Sequence, residues 1–167
     1  MNPDDQALYE KLYLQYYGMV LILSRGFMKG DTDMAYDLAQ DVFVNVWNAL
    51  PGYRAEASYK TWIYRITVNT CLLQIRKDKN KIKEPLEAAV LAETDTRESF
   101  EDENMLYRAI GQLEEVDRLT IMMVLEEVDY AEIAQILGIT ENNLRVKIHR
   151  IKSKLKLLID NERRKTY

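Results

Sequence analysis

Cysteine and histidine are almost missing from this 167-residue chain, with Cys71 and His149 the single representatives of each. One cysteine excludes an internal disulfide, and one Cys with one His cannot furnish the ligands of a Cys/His zinc site. A reducing compartment suits such a chain. Glycine and proline are scarce too, at six and three residues, too few for a turn-dense all-β protein. No run reaches the ~18 to 20 apolar residues that a membrane-spanning helix needs. The N-terminal stretch MNPDDQALYEKL lacks the basic patch and apolar run of a secretory leader. No membrane insertion is expected, and the chain is expected to be cytoplasmic. Also lacking is a convergent set of acid, base, nucleophile or metal ligand, so no enzyme, metal or cofactor chemistry is expected.

What the chain does have is Leu, Ala, Glu, Lys, Met and Gln in abundance, all good helix formers. An all-α protein is expected. Its net charge of −4 is unevenly distributed, and charge acts within about a Debye length, roughly 8 to 10 Å. Residues 1–50 carry −4, 51–83 carry +6, 84–117 carry −9, 118–138 carry −3 and 139–167 carry +6. Two basic segments are thus separated by acidic ones.

Leu8, Leu12, Tyr16, Met19, Val20 and Leu23 recur at spacings of three and four, which predicts a first helix from Gln6 to about Phe27. Asp31 to Asp33 offer N-cap oxygens for a second helix running to about Asn48, stopped by Pro51-Gly52. A third, apolar nearly all round and therefore central, starts at Ser58 and runs to about Asp78. Charged residues and Pro85 mark 80–103 as an acidic linker, in which LEAAVLA (86–92) is a candidate short helix. At about 25 residues the linker would reach roughly 25 to 30 Å if flexible, far enough for two domains to sit apart. The division is 1–79, 80–103 and 104–167, with further helices at about 102–113, 115–127, 130–137 and 141–160.

Near the C-terminus, Asp129 and Glu132 have capping-box spacing ahead of YAEIAQIL, Gly138 supplies a left-handed stop, and Thr140 can cap the next helix. Ala134 is small where two helices would cross closely. Ile133, Leu137, Ile139, Leu144 and Ile148 supply the buried positions of a helix-turn-helix. At about 100° per residue, Leu144, Ile148, Ile151 and Leu155 form an apolar stripe opposite Asn142, Val146, His149 and Arg150. Asn143 and Arg145 flank that outer face. Arg, Asn and Val there can meet guanine, adenine and a thymine methyl, while Lys147, Arg150, Lys152 and Lys154 suit phosphates. A merely solvated basic helical hairpin is the plainer reading.

Residues 53–65, YRAEASYKTWIYR, interleave Tyr53, Tyr59, Trp62 and Tyr64 with Arg54, Lys60 and Arg65. Aromatic faces stack on unpaired bases while cations hold the backbone, a combination suited to single-stranded nucleic acid. Ser58, Arg65, Asn69 and Arg76 fall within about 40° of one another on the following helix. Tyr64 is expected in the core, and Trp62 stands between core and surface. On the second helix, Asp37, Gln40, Asp41, Val44 and Asn48 share one face, and Leu38, Val42, Phe43, Val46 and Leu50 the other. An acidic outer face suits a basic protein partner, and also any solvated helix.

Three segments together resemble the extracytoplasmic-function group of bacterial RNA polymerase sigma factors. DLAQDVFVNVW (37–47) is similar to the family's core-polymerase-binding helix, and YRAEASYKTWIYRITVN (53–69) to its minus-ten and melting region. LEEVDYAEIAQILGITENNLRVKIHRIKSKL (125–155) is similar to its minus-thirty-five helix-turn-helix. The resemblance implies that Asp37, Gln40, Asp41 and Trp47 dock on the clamp helices of core RNA polymerase. It implies promoter DNA as the second partner, with Tyr53, Arg54, Ser58, Tyr59, Lys60, Trp62, Arg65, Asn69 and Arg76 on the melted non-template strand. Asn142, Asn143, Arg145, Val146, Lys147, His149 and Arg150 would then face the upstream duplex. An anti-sigma factor is a further implied partner. Two departures from the family pattern stand out: Asn142-Asn143-Leu144 replaces a common small residue and Thr or Ser, and Tyr53 stands where Phe is frequent.

The alternative is an autonomous helix-turn-helix regulator with an N-terminal dimerisation domain. The aromatic-basic segment discriminates between them, because a repressor has no need of it and a strand-opening factor does.

Overall fold

The computed structural model of the chain describes residues 3–81 and 98–165. These fold into helices α1 (Pro3–Phe27), α2 (Thr32–Ala49), a 3-10 turn (Leu50–Gly52), α3 (Tyr59–Lys81), α4 (Glu98–Gly111), α5 (Glu115–Leu125), α6 (Tyr130–Leu137) and α7 (Glu141–Lys165). The all-α expectation holds. The candidate helix at 86–92 lies outside the described residues.

Local chemistry sets the helix ends. Proline is tolerated in a first turn, where no N–H is required, and Pro3 opens α1 with Asp4 and Asp5 against the positive end of the macrodipole. The helix therefore starts ahead of the apolar repeat at Gln6. Asp31 caps α2 by accepting from the Met34 N–H at 3.0 Å, and Ser58 Oγ accepts from Thr61 N at 3.2 Å as α3 begins. Helix α4 starts at Glu98 rather than near 102, where the charged sequence has few apolar residues to mark a boundary. Helix α7 continues to Lys165 instead of ending near 160, because Leu158 and Ile159 still pack on the core and Lys165 pairs with Glu162 at 3.0 Å.

The faces follow the periodicity. Leu38, Val42, Phe43, Val46 and Leu50 are buried, as are Leu144, Ile148, Ile151 and Leu155. Helix α3 is central: it packs against α1, α2 and α6 and buries Ile63, Tyr64, Val68 and Cys71. Its buried hydroxyls are satisfied, Thr67 donating to the Ile63 carbonyl and Thr70 to the Ile66 carbonyl, each at 2.8 Å. An unpaired polar group at such depth would be costly.

Leu12, Val20, Ala39, Val42, Phe43, Val46, Leu50 and Ile63 make one apolar cluster within α1–α3. The other runs across the molecule, joining Leu23, Phe27, Leu38, Tyr64, Val68 and Cys71 to the interior of α4–α7. The N-terminal and C-terminal helices are therefore packed together. At the seam, the hydrogen that serves as the side chain of Gly26 leaves the space that Met122 of α5 fills. Arg118, buried at 7% exposure, donates from Nε to the Phe27 carbonyl at 3.0 Å and from Nη1 to the Leu113 carbonyl at 2.8 Å. Its guanidinium also lies over the Phe27 ring at 5.2 Å. Burial pulls its pKa below the ordinary value, while Glu115 and Glu114 act in the opposite direction.

Candidate nucleic-acid interface

The turn between α6 and α7 rests on one backbone conformation. Gly138 has φ 68°, in the left-handed region where glycine carries no side-chain penalty. This lets Ile139 N–H reach the Ala134 carbonyl at 3.0 Å. Thr140 Oγ1 then accepts from Asn143 N at 3.2 Å, capping α7. Ala134 is buried at the crossing, together with Ile133. The capping box is half made: Asp129 accepts from Ala131 N at 3.0 Å, but Glu132 turns away to accept from Thr61 on α3. A tertiary partner replaces the local one.

With the inner stripe of α7 buried, Asn142, Asn143, Arg145, Val146, His149 and Arg150 are all exposed. Val146 is 52% exposed, an apolar side chain offered to solvent between polar neighbours. Arg145 is held along the helix surface by Glu141 at 3.4 Å and by the Tyr130 ring at 5.4 Å. Lys147 differs from these. It is half-buried and paired with Asp117 of α5 at 2.6 Å, an engagement the helical wheel did not anticipate. In this arrangement its charge is already met by a carboxylate.

The loop before α3 and the first turns of that helix form an aromatic group. Tyr53 stacks on Tyr59 with centroids 4.4 Å apart, and Trp62 stands 5.0 Å from Tyr53. The Tyr53 hydroxyl donates to the Ala57 carbonyl and closes the loop, with Ala55 held at a φ of 56°. Burial, and then the neighbouring Tyr59 and Tyr16, raise the Tyr53 pKa above its ordinary value. Arg54, Ser58 and Lys60 are exposed next to this group in the chain, Asn69 and Arg76 are exposed farther along α3, and Trp62 is half-buried. Tyr64 belongs to the core, as expected. Arg65 is half-buried, its Nη2 donating to Gln135 of α6 at 3.1 Å.

On α2, Asp37, Gln40, Asp41, Val44 and Asn48 all face outward. Trp47 lies half-buried with its indole edge-on to Tyr9, centroids 4.8 Å apart. A shallow groove beside this face is lined by Met28, Met34, Asp37, Leu38, Asp41 and Gln74. It combines carboxylates with flexible apolar side chains, chemistry that fits a basic helix carrying apolar residues.

Three surfaces thus stand apart on the molecule: acidic α2, the aromatic-basic start of α3, and the outer face of α7. Sequence reasoning missed Asp117, Tyr130, Glu132 and Gln135 as neighbours of these surfaces. Each meets its partner through the tertiary fold or from a separate helix, so the helical wheel of α3 or α7 alone does not reveal it. Among the described residues, no group of three or more His, Cys, Asp or Glu side chains could hold a metal ion. No described helix is long and apolar enough to cross a membrane.

Residues 12–81 match the family described as Sigma-70 region 2, and residues 103–155 match Sigma-70, region 4. RNA polymerase sigma factor YlaC of Bacillus subtilis is 31% identical over 156 residues, covering 88% of this chain and 89% of its own length. The ECF RNA polymerase sigma-E factor of Escherichia coli K12 is 28% identical, covering 97% and 90%. In fold, the chain is similar to the sigma factor RpoE of Bartonella quintana, solved in complex with the anti-sigma factor NepR. The TM-score is 0.71 at 19% identity, over 91% of this chain and 96% of that one. CnrH, solved in complex with the cytosolic domain of CnrY, has a TM-score of 0.66 at 23% identity, over 93% and 90%. The chain therefore belongs to the extracytoplasmic-function group of RNA polymerase sigma factors, which serve promoter-specific transcription initiation.

Proposed function

We propose that the three surfaces divide the work of initiation among them, with functional boundaries at 1–79, 80–103 and 104–167. Asp37, Gln40 and Asp41 on α2, steadied by Trp47, meet a basic helix pair on core polymerase. Asn142, Asn143, Arg145, Val146, His149 and Arg150 read the minus-thirty-five duplex in the major groove, with Lys147 adding a phosphate contact once it leaves Asp117. Tyr53, Arg54, Ser58, Tyr59, Lys60, Trp62, Arg65, Asn69 and Arg76 receive the melted minus-ten strand, aromatics stacking on bases and cations on phosphates. The Tyr53-Tyr59-Trp62 group is the observation that carries this reading over that of an autonomous regulator.

No chemical step belongs to the chain itself, and no cofactor enters. Its contribution is binding energy, realised on the open strand more than on the closed duplex, which shifts the promoter toward melting. Alone it binds duplex DNA weakly, because each basic surface is small and the net charge is negative; polymerase supplies the missing affinity. A protein that works on core polymerase and the chromosome of a bacterium is cytoplasmic. The structural relative RpoE was solved bound to the anti-sigma factor NepR, and CnrH to the cytosolic domain of CnrY; an anti-sigma factor that covers the polymerase-binding surfaces is the proposed regulator here.

Transcription from a pooled genomic library by purified core polymerase, with and without the chain, tests the reading. Asp41→Ala should weaken core binding by roughly tenfold, about 1.4 kcal/mol, with promoter choice unchanged. Arg145→Ala should relax promoter choice with core binding unchanged. Equal effects of both variants in both assays would contradict the division of labour.

A further inference from the structure

Two groups hold the Arg145 guanidinium close to the body of the protein. Glu141, one turn earlier on α7, accepts from Nη2 at 3.4 Å. Tyr130, the first residue of α6, has its ring centroid 5.4 Å from Cζ, within the roughly 6 Å over which an aromatic face attracts a cation. The ring is itself anchored. Tyr130 is half-buried and packs on the apolar cluster that contains Ile133, Ala134, Leu144 and Ile148. Asp129 fixes the turn that Tyr130 starts, accepting from Ala131 N at 3.0 Å. The Arg145 side chain nonetheless stays 61% exposed. A guanidinium carries five N–H donors in one plane, so a single bond at Nη2 leaves others for a ligand. Fixing a loose Arg side chain on a base costs rotamer entropy, and one already laid on a ring has given up part of that freedom before DNA arrives.

We infer that Tyr130 is a positioning residue for base recognition: its ring holds the Arg145 guanidinium in the restricted set of orientations from which the fork meets a guanine edge. The inference rests on the reading of Arg145 as a base-facing residue. A residue of α6 thereby sharpens what α7 reads, and the left-handed turn at Gly138 sets the distance between the two. The attraction comes from the face of the ring, so the ring and not the hydroxyl does the holding. Tyr130 is therefore expected to act on base choice only through Arg145.

The test uses the full chain with core polymerase on a promoter library randomised through the minus-thirty-five element, the transcripts being sequenced to give the base preference at each position. Arg145→Ala identifies the position that Arg145 reads, as the one whose preference collapses. There Tyr130→Leu should cut the preference by about three- to fivefold, the weight of one exposed cation–ring contact. Tyr130→Phe, which keeps the ring, should leave it within about twofold of wild type. In the Arg145→Ala background Tyr130→Leu should change no preference further, the mark of two residues acting as one unit. A second readout needs no variant to fold: nuclear magnetic relaxation of the wild-type chain should show the Arg145 Nε–H more restricted than that of Arg150, exposed on the same helix.

A loss spread evenly over all templates, or confined to positions that Arg145→Ala does not touch, would overturn the inference and leave the reading of Arg145 standing. So would a Tyr130→Phe variant as impaired as Tyr130→Leu, which would assign the work to the hydroxyl, or equal mobility of Arg145 and Arg150. Unchanged preferences at every position in Arg145→Ala would sink both the inference and the reading beneath it.

Discussion

Replacing Arg118 with Met should destabilise the protein by about 3 kcal/mol. The side chain spans the seam, bonding the Phe27 carbonyl at 3.0 Å and the Leu113 carbonyl at 2.8 Å from a site 7% exposed. Hydrogen bonds to a charged donor contribute about 1.5 to 3 kcal/mol each, and their loss strands two carbonyls away from water. Against this stands the relief of returning a guanidinium to solvent on unfolding, worth a few kcal/mol at most here. Methionine is unbranched and flexible and fills much of the space, which keeps the cavity contribution small. In a chain of this length the loss corresponds to about 6 to 12 °C in melting temperature. Urea unfolding followed by far-UV circular dichroism should show a lowered midpoint with an unchanged slope. Arg118→Lys should fall between the two, since an ammonium is a compact donor without the fork that reaches both carbonyls. A loss below about 1 kcal/mol for Arg118→Met would refute the idea that this residue holds the seam.

Two further outcomes concern the same seam. Gly26→Ala places a methyl where Met122 sits; the overpacking should outweigh the helix-propensity gain and leave a net loss of about 1 to 2 kcal/mol. A raised melting temperature would contradict the packing described. Burial pushes the Cys71 thiol up to about 12, with a backbone hydrogen bond and Arg118 opposing the shift. The unfolded chain therefore releases this proton first. Stability from the neutral thiol is intact below about pH 8.5 and declines above it by up to ~1.4 kcal/mol per pH unit. Cys71→Ala should flatten the alkaline limb of a urea-unfolding series. In the native wild-type chain the thiol should resist iodoacetamide, and rapid alkylation at pH about 8 would show that the site is not closed.

Much of the fold was legible because helices announce themselves locally. The apolar repeat of Leu144, Ile148, Ile151 and Leu155 placed the inner face of α7, and Gly138 and Thr140 placed the turn before it. What was not legible is what crosses the chain. Arg118 reaches a carbonyl 91 positions away, and in the sequence it is one cation in an acidic stretch. Glu132 carried a local explanation as the second half of a capping box, and Thr61, 71 residues earlier, outcompetes it. Lys147 stands one residue after the exposed Val146, and only the approach of α5 decides that it meets Asp117 instead of solvent. The linker composition spoke of reach, which is a property of the connection; whether the halves touch is a property of the surfaces.

Both tryptophans of the chain sit in its first half, Trp47 against Tyr9 at 4.8 Å and Trp62 against Tyr53 at 5.0 Å. The protein is therefore an optically lopsided molecule, whose indole emission arises only from α2 and α3. Superimposed denaturation curves from that emission and from backbone ellipticity would mean that the two halves melt as one cooperative unit. Each indole also stands at a different proposed contact, one beside the polymerase-facing helix and one beside the strand-facing loop. With Trp47→Phe or Trp62→Phe, the remaining lamp follows either docking on polymerase or stacking on a base, and the order of events in initiation becomes something that can be watched.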